Sequence, residues 1–431
     1  MKLKLKLFAA AALLVGAASP VLADLDITIS DGSVARRPIA VVPFAQPAGS
    51  IPDVAQVIAA DLERSGVFKA LPRSDMKFGT PNEESQVDYR TWRTLGQDHL
   101  VIGKVAASPG GAAITDAKLF DVYAGSRILT VDATADRATE WRSMAHRVAD
   151  QIFEKLTGIK GIFDTRVVYV SVTGPLKQRV YHLIWADADG ENPREIARNN
   201  EPILSPRWSP DGKRLAYVTY QNNRQQVVIQ TPLTGQREVV TAERGVNSAP
   251  AWTPDGNKLV VTLSFETNSD LYLIDLATHT RKRLTDSYAI DTSAAVSPDG
   301  RTVAFVSDRT GAPQIYTISI DGGEAKRLTF EGRKNEEPHF SPDGKTLALA
   351  NFDGSSYRIG LIDLQSGALR LVTDGPLDES PSFAPNGALV IYAHQGAQGG
   401  ELATVGVDGT NRQQFRQTGD ARDPVWAPYS R

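Results

Sequence analysis

Residues 207–212 read Arg-Trp-Ser-Pro-Asp-Gly, and the phrase returns as Ala-Trp-Thr-Pro-Asp-Gly at 251–256, Ala-Val-Ser-Pro-Asp-Gly at 295–300 and His-Phe-Ser-Pro-Asp-Gly at 339–344. Pro210, Pro254, Pro298 and Pro342 are 44 residues apart, and weaker copies place Pro385 and Pro428 43 residues further on each time. Proline presets φ at the first corner of a tight turn, Asp tolerates the second, and Gly accepts the positive φ that lets two strands reverse. Each copy is therefore a hairpin. An aromatic residue stands two positions before the proline in five copies (Trp208, Trp252, Phe340, Phe383, Trp426), and an alternating run such as Leu215-Ala216-Tyr217-Val218 follows. With a third strand at 314–320 and a fourth at 325–329 in one copy, the repeat holds four antiparallel strands, the size of a propeller blade. Six copies predict a six-bladed β-propeller over 161–431. The chain enters the repeat at 167–170 in a second-strand pattern and leaves it at 424–428 in a first-strand pattern, so the C-terminal strand is expected to close the ring against 167–172.

Upstream the grammar changes. The apolar run Ile39-Ala40-Val41-Val42-Pro43-Phe44 reads as a buried strand, and 51–65 spaces Val54, Val57, Ile58 and Leu62 as a helix that stops at Gly66. Strands are expected at 100–105, 112–123 and 128–135, and an amphipathic helix over 138–156 ends at Gly158. Residues 24–160 thus form a small α/β domain.

Lys2, Lys4 and Lys6 precede an apolar run over 7–18, and Val21-Leu22-Ala23 supplies a cleavage site, which predicts a signal peptide over 1–23 and a mature chain beginning at Asp24. The run is shorter than the roughly 20 residues that span a bilayer, so no direct membrane insertion is expected. Without the three lysines, 44 basic side chains face 50 acidic ones, a mild excess that argues against nucleic acid as a partner. The chain has no cysteine, which excludes disulfides, thiol chemistry and Cys-ligated metals.

Catalytic motifs are missing: there is no Gly-x-Ser-x-Gly, no phosphate-cradling Gly-x-x-x-x-Gly-Lys and no His-Glu-x-x-His. The histidines (His99, His146, His182, His279, His339, His394) are not at ligand spacing and read as packing or surface residues. The Pro-Asp-Gly aspartates read as turn formers, and the tryptophans ahead of them as packing between blades.

The variable residues lie just upstream of each first strand: Val246-Asn247-Ser248-Ala249, Asp291-Thr292-Ser293, Asn335-Glu336-Glu337, Asp378-Glu379-Ser380, and Asp420 with Asp423. Asn247, Asp291, Asn335 and Asp378 share one register. Their side chains could cap local turns, or the acid-rich loops could form a docking face on a rigid scaffold. An acidic ring near the channel could also hold Ca²⁺, which takes six to eight oxygens; otherwise no cofactor or metal is expected. A rival reading, a channel hydrolase or peptidase-accessory protein, needs convergent acid or His ligands from several first strands. Those strands carry Trp, Phe and Val at the centre instead.

The linker Phe153-Glu154-Lys155-Leu156-Thr157-Gly158-Ile159-Lys160-Gly161, leading into Phe163 and Thr165-Arg166, resembles that of the TolB family of the Gram-negative Tol-Pal system. Arg37-Pro38-Ile39-Ala40-Val41-Val42-Pro43-Phe44, Ala59-Ala60-Asp61-Leu62 with Ser65-Gly66, and Trp208-Ser209-Pro210-Asp211-Gly212 are similar too, so the resemblance spans the chain. It implies a non-enzymatic periplasmic adaptor, monomeric apart from its partners, that supports outer-membrane integrity and invagination at division. By position it implies a surface for the lipoprotein Pal that includes Val246, Ala249 and Thr292; with the acid-rich loops this makes the expected face Val246, Asn247, Ala249, Asp291, Thr292, Glu336 and Glu379. The segment Asp24-Leu25-Asp26-Ile27-Thr28-Ile29 is implied to engage TolA, and its alternating apolar residues make it β-prone, able to add to a partner sheet or dock back on its own protein.

Overall fold

The computed structural model describes residues 36–47, 52–77, 79–264, 268–396, 399–415 and 417–429. The expected signal peptide and the segment from Asp24 to Ile29 lie outside the described residues.

The first region is a five-stranded sheet of β1 (Arg37–Val41), β2 (Phe68–Ala70), β3 (His99–Ala107), β4 (Ala113–Asp121) and β5 (Ser126–Ala135) in the order β2-β1-β3-β4-β5. β1 runs parallel to both neighbours, and β3, β4 and β5 form an antiparallel meander. Helices α1 (Val54–Arg64) and α3 (Trp141–Thr157) bury Val54, Ile58, Leu62, Met144, Val148 and Ile152 against one face of the sheet. The short α2 (Tyr89–Thr94) sets Trp92 against the other face, among Ala40, Val42, Leu100, Ile102 and Phe120. Each such large apolar side chain contributes about 1.5–3 kcal/mol on burial. The boundaries follow local chemistry. α1 starts three residues later than the expected 51–65 because Asp53 caps it, accepting from the Gln56 amide at 3.1 Å. The pattern over 138–156 contains a short 3₁₀ turn, Ala138–Glu140, before α3, which ends on Gly158 at φ 73°.

From Arg166 the chain builds six four-stranded antiparallel sheets. Blade 1 is composite: Asp420–Trp426 pairs with Arg166–Thr173, followed outward by Val180–Asp187 and Arg194–Asn199. Blades 2 to 6 begin with the strands Leu204–Trp208, Asn247–Trp252, Asp291–Val296, Lys334–Phe340 and Asp378–Phe383. The aromatics ahead of the turns pack where blades meet. Trp252, for example, lies among Ala216 and Val218 of blade 2 and Leu259 and Val261 of its own blade, with its indole N–H donating to the Arg207 carbonyl at 3.1 Å.

The Pro-Asp-Gly turns explain themselves in the same way. In each full copy the aspartate accepts from the Ser or Thr two residues before it (Ser209, Thr253, Ser297, Ser341, 2.5–2.6 Å) and from the backbone N–H two residues after it. The following glycine takes φ between 67° and 73°.

Because strands alternate, the turns joining strands one to two and three to four share one end of the propeller. The α/β domain docks on that end: Asn411 and Gln413 of blade 6 donate to the Arg64 carbonyl, and Asn386 donates to the Lys160 carbonyl. The opposite end carries the starts of the first strands, and it is left open by the α/β domain.

Candidate functional site

The open end is built from a repeated irregularity. In every blade the first strand slips register against the second. The slip coincides with one left-handed residue: Ser205, Ala249, Ser293, Glu337, Ser380 and Asp423, with φ between 47° and 56°. A bulge of this kind turns a side chain away from the pleat. Here six of them aim at the axis, where Ser205, Ala249, Ser293, Glu337, Ser380 and Asp423 line a cavity of about 40 Å³ together with Arg207.

Within it the Ser380 hydroxyl donates to both carboxyls, 3.2 Å from Glu337 Oε1 and 3.2 Å from Asp423 Oδ1, the hydrogen being shared between them. Backbone N–H groups complete the shell: Ser380 donates to Glu337 Oε2 at 2.5 Å and Ser205 to Asp423 Oδ2 at 2.9 Å. Burial, reinforced by the Asp423 charge, pushes Glu337 up to about 7. Burial beside the Arg207 guanidinium holds His339 down at about 3. His339 lies 3.5 Å from the Ser382 hydroxyl, yet an imidazole so reluctant to take a proton is a poor general base. The channel oxygens are of the kind a calcium ion takes, and Arg207 places a positive charge in the same space.

Around this mouth the structure separates the expected face into two groups. Asn247 and Asp291, offered as docking residues, have 0% exposure, so their side chains brace the scaffold beneath the face. Asn247 donates to the Glu243 carbonyl at 2.8 Å and accepts from the Glu243 amide at 2.9 Å. Asp291 holds the Arg309 guanidinium through both oxygens, at 3.0 and 2.9 Å. Asn335 and Asp378 behave alike, the first bonded to Gln314 and Asn351, the second to His394 at 2.6 Å. Their common register is a capping register.

Val246, Ala249, Thr292, Glu336 and Glu379 are half-buried and reach the surface. Glu336 accepts from the Tyr357 hydroxyl at 2.8 Å, and Tyr357 stacks on Phe352 at 4.7 Å. Burial, with the Glu336 and Asp423 charges, raises Glu379, so acids of blades 5, 6 and 1 share one field. The loops leading to blades 4 and 5 add exposed apolar side chains: Tyr288, Ile290 and Phe330 are 87%, 52% and 73% accessible. An acid patch bordered by exposed aromatic and aliphatic groups is the composition of a docking surface.

Sequence reasoning named Glu337, Ser380 and Asp423 as loop residues near the channel but did not join them with Arg207 and His339 in one set. A signal was present, since in five blades the left-handed residue precedes a proline four positions ahead of the turn proline: Pro206, Pro250, Pro338, Pro381 and Pro424. It also missed that His146 would meet Asp61 and Asp189.

Comparison with known proteins places these features in a family. Residues 25–128 match the model of the TolB amino-terminal domain, and residues 153–430 match that of the TolB beta propeller domain. The chain is similar to the Tol-Pal system protein TolB of Methylococcus capsulatus, 57% identical over 417 residues, covering 96% of this chain and 97% of the relative. It is similar also to that of Xanthomonas oryzae pv. oryzae, 49% identical over 411 residues, covering 94% and 93%. Among solved structures, the crystal structure of TolB from Acinetobacter baumannii aligns with a TM-score of 0.83 at 36% identity, covering 91% of this chain and 97% of that one.

Proposed function

The chain belongs to the TolB family of Tol-Pal system proteins, and on that basis we propose that it is a non-enzymatic periplasmic adaptor, binding Pal through the open propeller face and TolA through the mature N-terminus. As a Tol-Pal system protein it works with other components of that system. The reading assigns it to outer-membrane integrity and to drawing the outer membrane inward at division, and it requires no cofactor. No helix among the described residues is long and apolar enough to cross a membrane, which suits an exported protein acting between two membrane-attached partners.

The observation that carries the reading is the asymmetry of the propeller. Its turn end is partly covered by the α/β domain, and its other end presents half-buried Val246, Ala249, Thr292, Glu336 and Glu379 beside exposed Tyr288, Ile290 and Phe330. Asn247 and Asp291 serve this face from beneath by fixing the loops. Rigid loops lose little entropy on docking, so a modest patch can give useful affinity.

Calorimetric titration of the mature chain with soluble Pal tests the proposal. Thr292→Arg and Ala249→Arg place bulk and charge on the face and at the channel mouth. Each is expected to weaken Pal binding at least about tenfold, a loss of about 1.4 kcal/mol. Unchanged affinity in both removes the face. Deletion of residues 24–29 is expected to abolish TolA binding and spare Pal, and normal TolA binding by that deletion removes the N-terminal assignment.

A further inference from the structure

The contact between the α/β domain and the propeller encloses a charged cluster that the docking function does not use. His146, on α3, is 1% exposed, and its Nδ1 lies 2.6 Å from Asp61 Oδ2 on α1. Its Nε2 faces Asp189 Oδ2, in the strand-three to strand-four turn of blade 1, at 3.9 Å and has no hydrogen-bond partner among the described residues. Two arginines complete the group. Arg64 of α1 bonds Asp61 at 2.6 Å and approaches Asp189 at 3.6 Å; Arg142 of α3 bonds Asp189 closely and lies 3.5 Å from Asp187.

Counting charge decides what belongs at the ring. Asp61, Asp187 and Asp189 contribute three negative charges against the two positive ones of Arg64 and Arg142, and Asp150, one turn along α3, adds a buried carboxyl that burial raises to about 6, so a neutral imidazole leaves the cluster with excess negative charge and turns an unprotonated nitrogen toward a carboxylate. One proton on His146 reduces that excess and supplies the missing donor. A divalent cation held by Asp61, His146 and Asp189 would satisfy the same nitrogen, but it would sit against two guanidinium groups already bonded to its carboxylates.

We infer that His146 is a proton-operated clamp between the two domains: its imidazolium ties Asp61 of the α/β domain to Asp189 of the propeller, and loss of that proton loosens the contact. The electrostatics agree in direction. Burial and the Arg142 charge work against protonation, yet the Asp61 hydrogen bond and the Asp61 and Asp189 charges together raise His146 above the ordinary imidazole value. A group raised in this sense stabilises the closed contact fully below about pH 6.5, its unfolded value, and the contribution is lost as pH rises through the folded value. The clamp is therefore tight in mild acid and slackens toward alkaline pH.

The test uses the full mature chain labelled with ¹⁵N-histidine, with His146→Gln identifying the resonance. At pH 6 both ring nitrogens of His146 are expected to be protonated. As the ring titrates above pH 6.5, amide exchange at residues 187–191 and at the C-terminal end of α1 should accelerate about tenfold beyond the chemical effect of pH. In His146→Gln that step should vanish. If His146→Gln does not fold, Asp189→Asn replaces it and should lower the pH at which the ring titrates. A ring that is neutral at pH 6 in the folded protein overturns the inference, as does an unchanged exchange step in His146→Gln. A metal-bound ring signature on adding zinc at pH 7 overturns it also, reassigning the cluster to a cation.

Discussion

Asp291 and Thr292 are neighbours in sequence with opposite fates, and the difference is testable residue by residue. Asp291→Asn removes the charge that holds the Arg309 guanidinium in place, leaving a partly enclosed cation short of its partner. We expect a loss of about 2–3 kcal/mol in denaturant unfolding, whereas Thr292→Arg should change stability by less than about 0.5 kcal/mol and act on partner binding. Glu337 makes a second prediction. Its carboxyl is raised from the usual value to about 7, so its contribution to stability is complete below about pH 4.5 and is lost as pH rises through 7. Unfolding midpoints of the wild type should therefore fall between pH 5 and pH 8 relative to Glu337→Gln, by the equivalent of about 2 kcal/mol. A constant difference between the two across that range contradicts the assignment. The Pro-Asp-Gly residues were readable because their role is local, and so was the capping option at Asn247 and Asp291. Glu337 and Ser380 were not, because a left-handed conformation at a non-glycine residue is imposed by the bulge and the neighbouring strand. His146 was equally hidden: Asp61 lies 85 residues away and Asp189 on another domain, so no spacing rule joins them.

At the level of strands and helices, periodicity carried the reading where elements were long and failed where they were short. α3 spans 17 residues and showed its apolar face plainly, whereas β2 with three residues and α2 with six are too brief to display a period, and neither was expected. The composite blade gives the sharpest prediction at this scale. The strand Asp420–Trp426 is hydrogen-bonded to Arg166–Thr173 and buries Val425 and Trp426, the latter donating to the Thr165 hydroxyl at 2.8 Å. Deleting residues 423–431 removes most of this strand and exposes the edge of Arg166–Thr173. The propeller should then lose its single cooperative unfolding transition, and retention of a full transition in calorimetry would show that closure is dispensable.

For the whole molecule, the decisive property is that the two ends of the propeller differ. Turn chemistry fixes one end, and the α/β domain covers part of it; the other end varies from blade to blade and is where acids and exposed apolar groups gather. The fold class and the order of the two domains could be read from the repeat and the change of grammar before it, because both rest on many residues in agreement. The division of each loop into a buried brace and a surface residue is set by tertiary packing between strands distant in sequence. The central claim, that the variable end is the docking face, is tested most directly by the hydrogen-exchange footprint of Pal on the full mature chain. Slowed exchange is expected in the loops at 242–249, 284–293, 328–337 and 372–380, with the Pro-Asp-Gly turns and the α/β sheet unprotected. A footprint centred on those turns or on the α/β sheet, or none at saturating Pal, would contradict it.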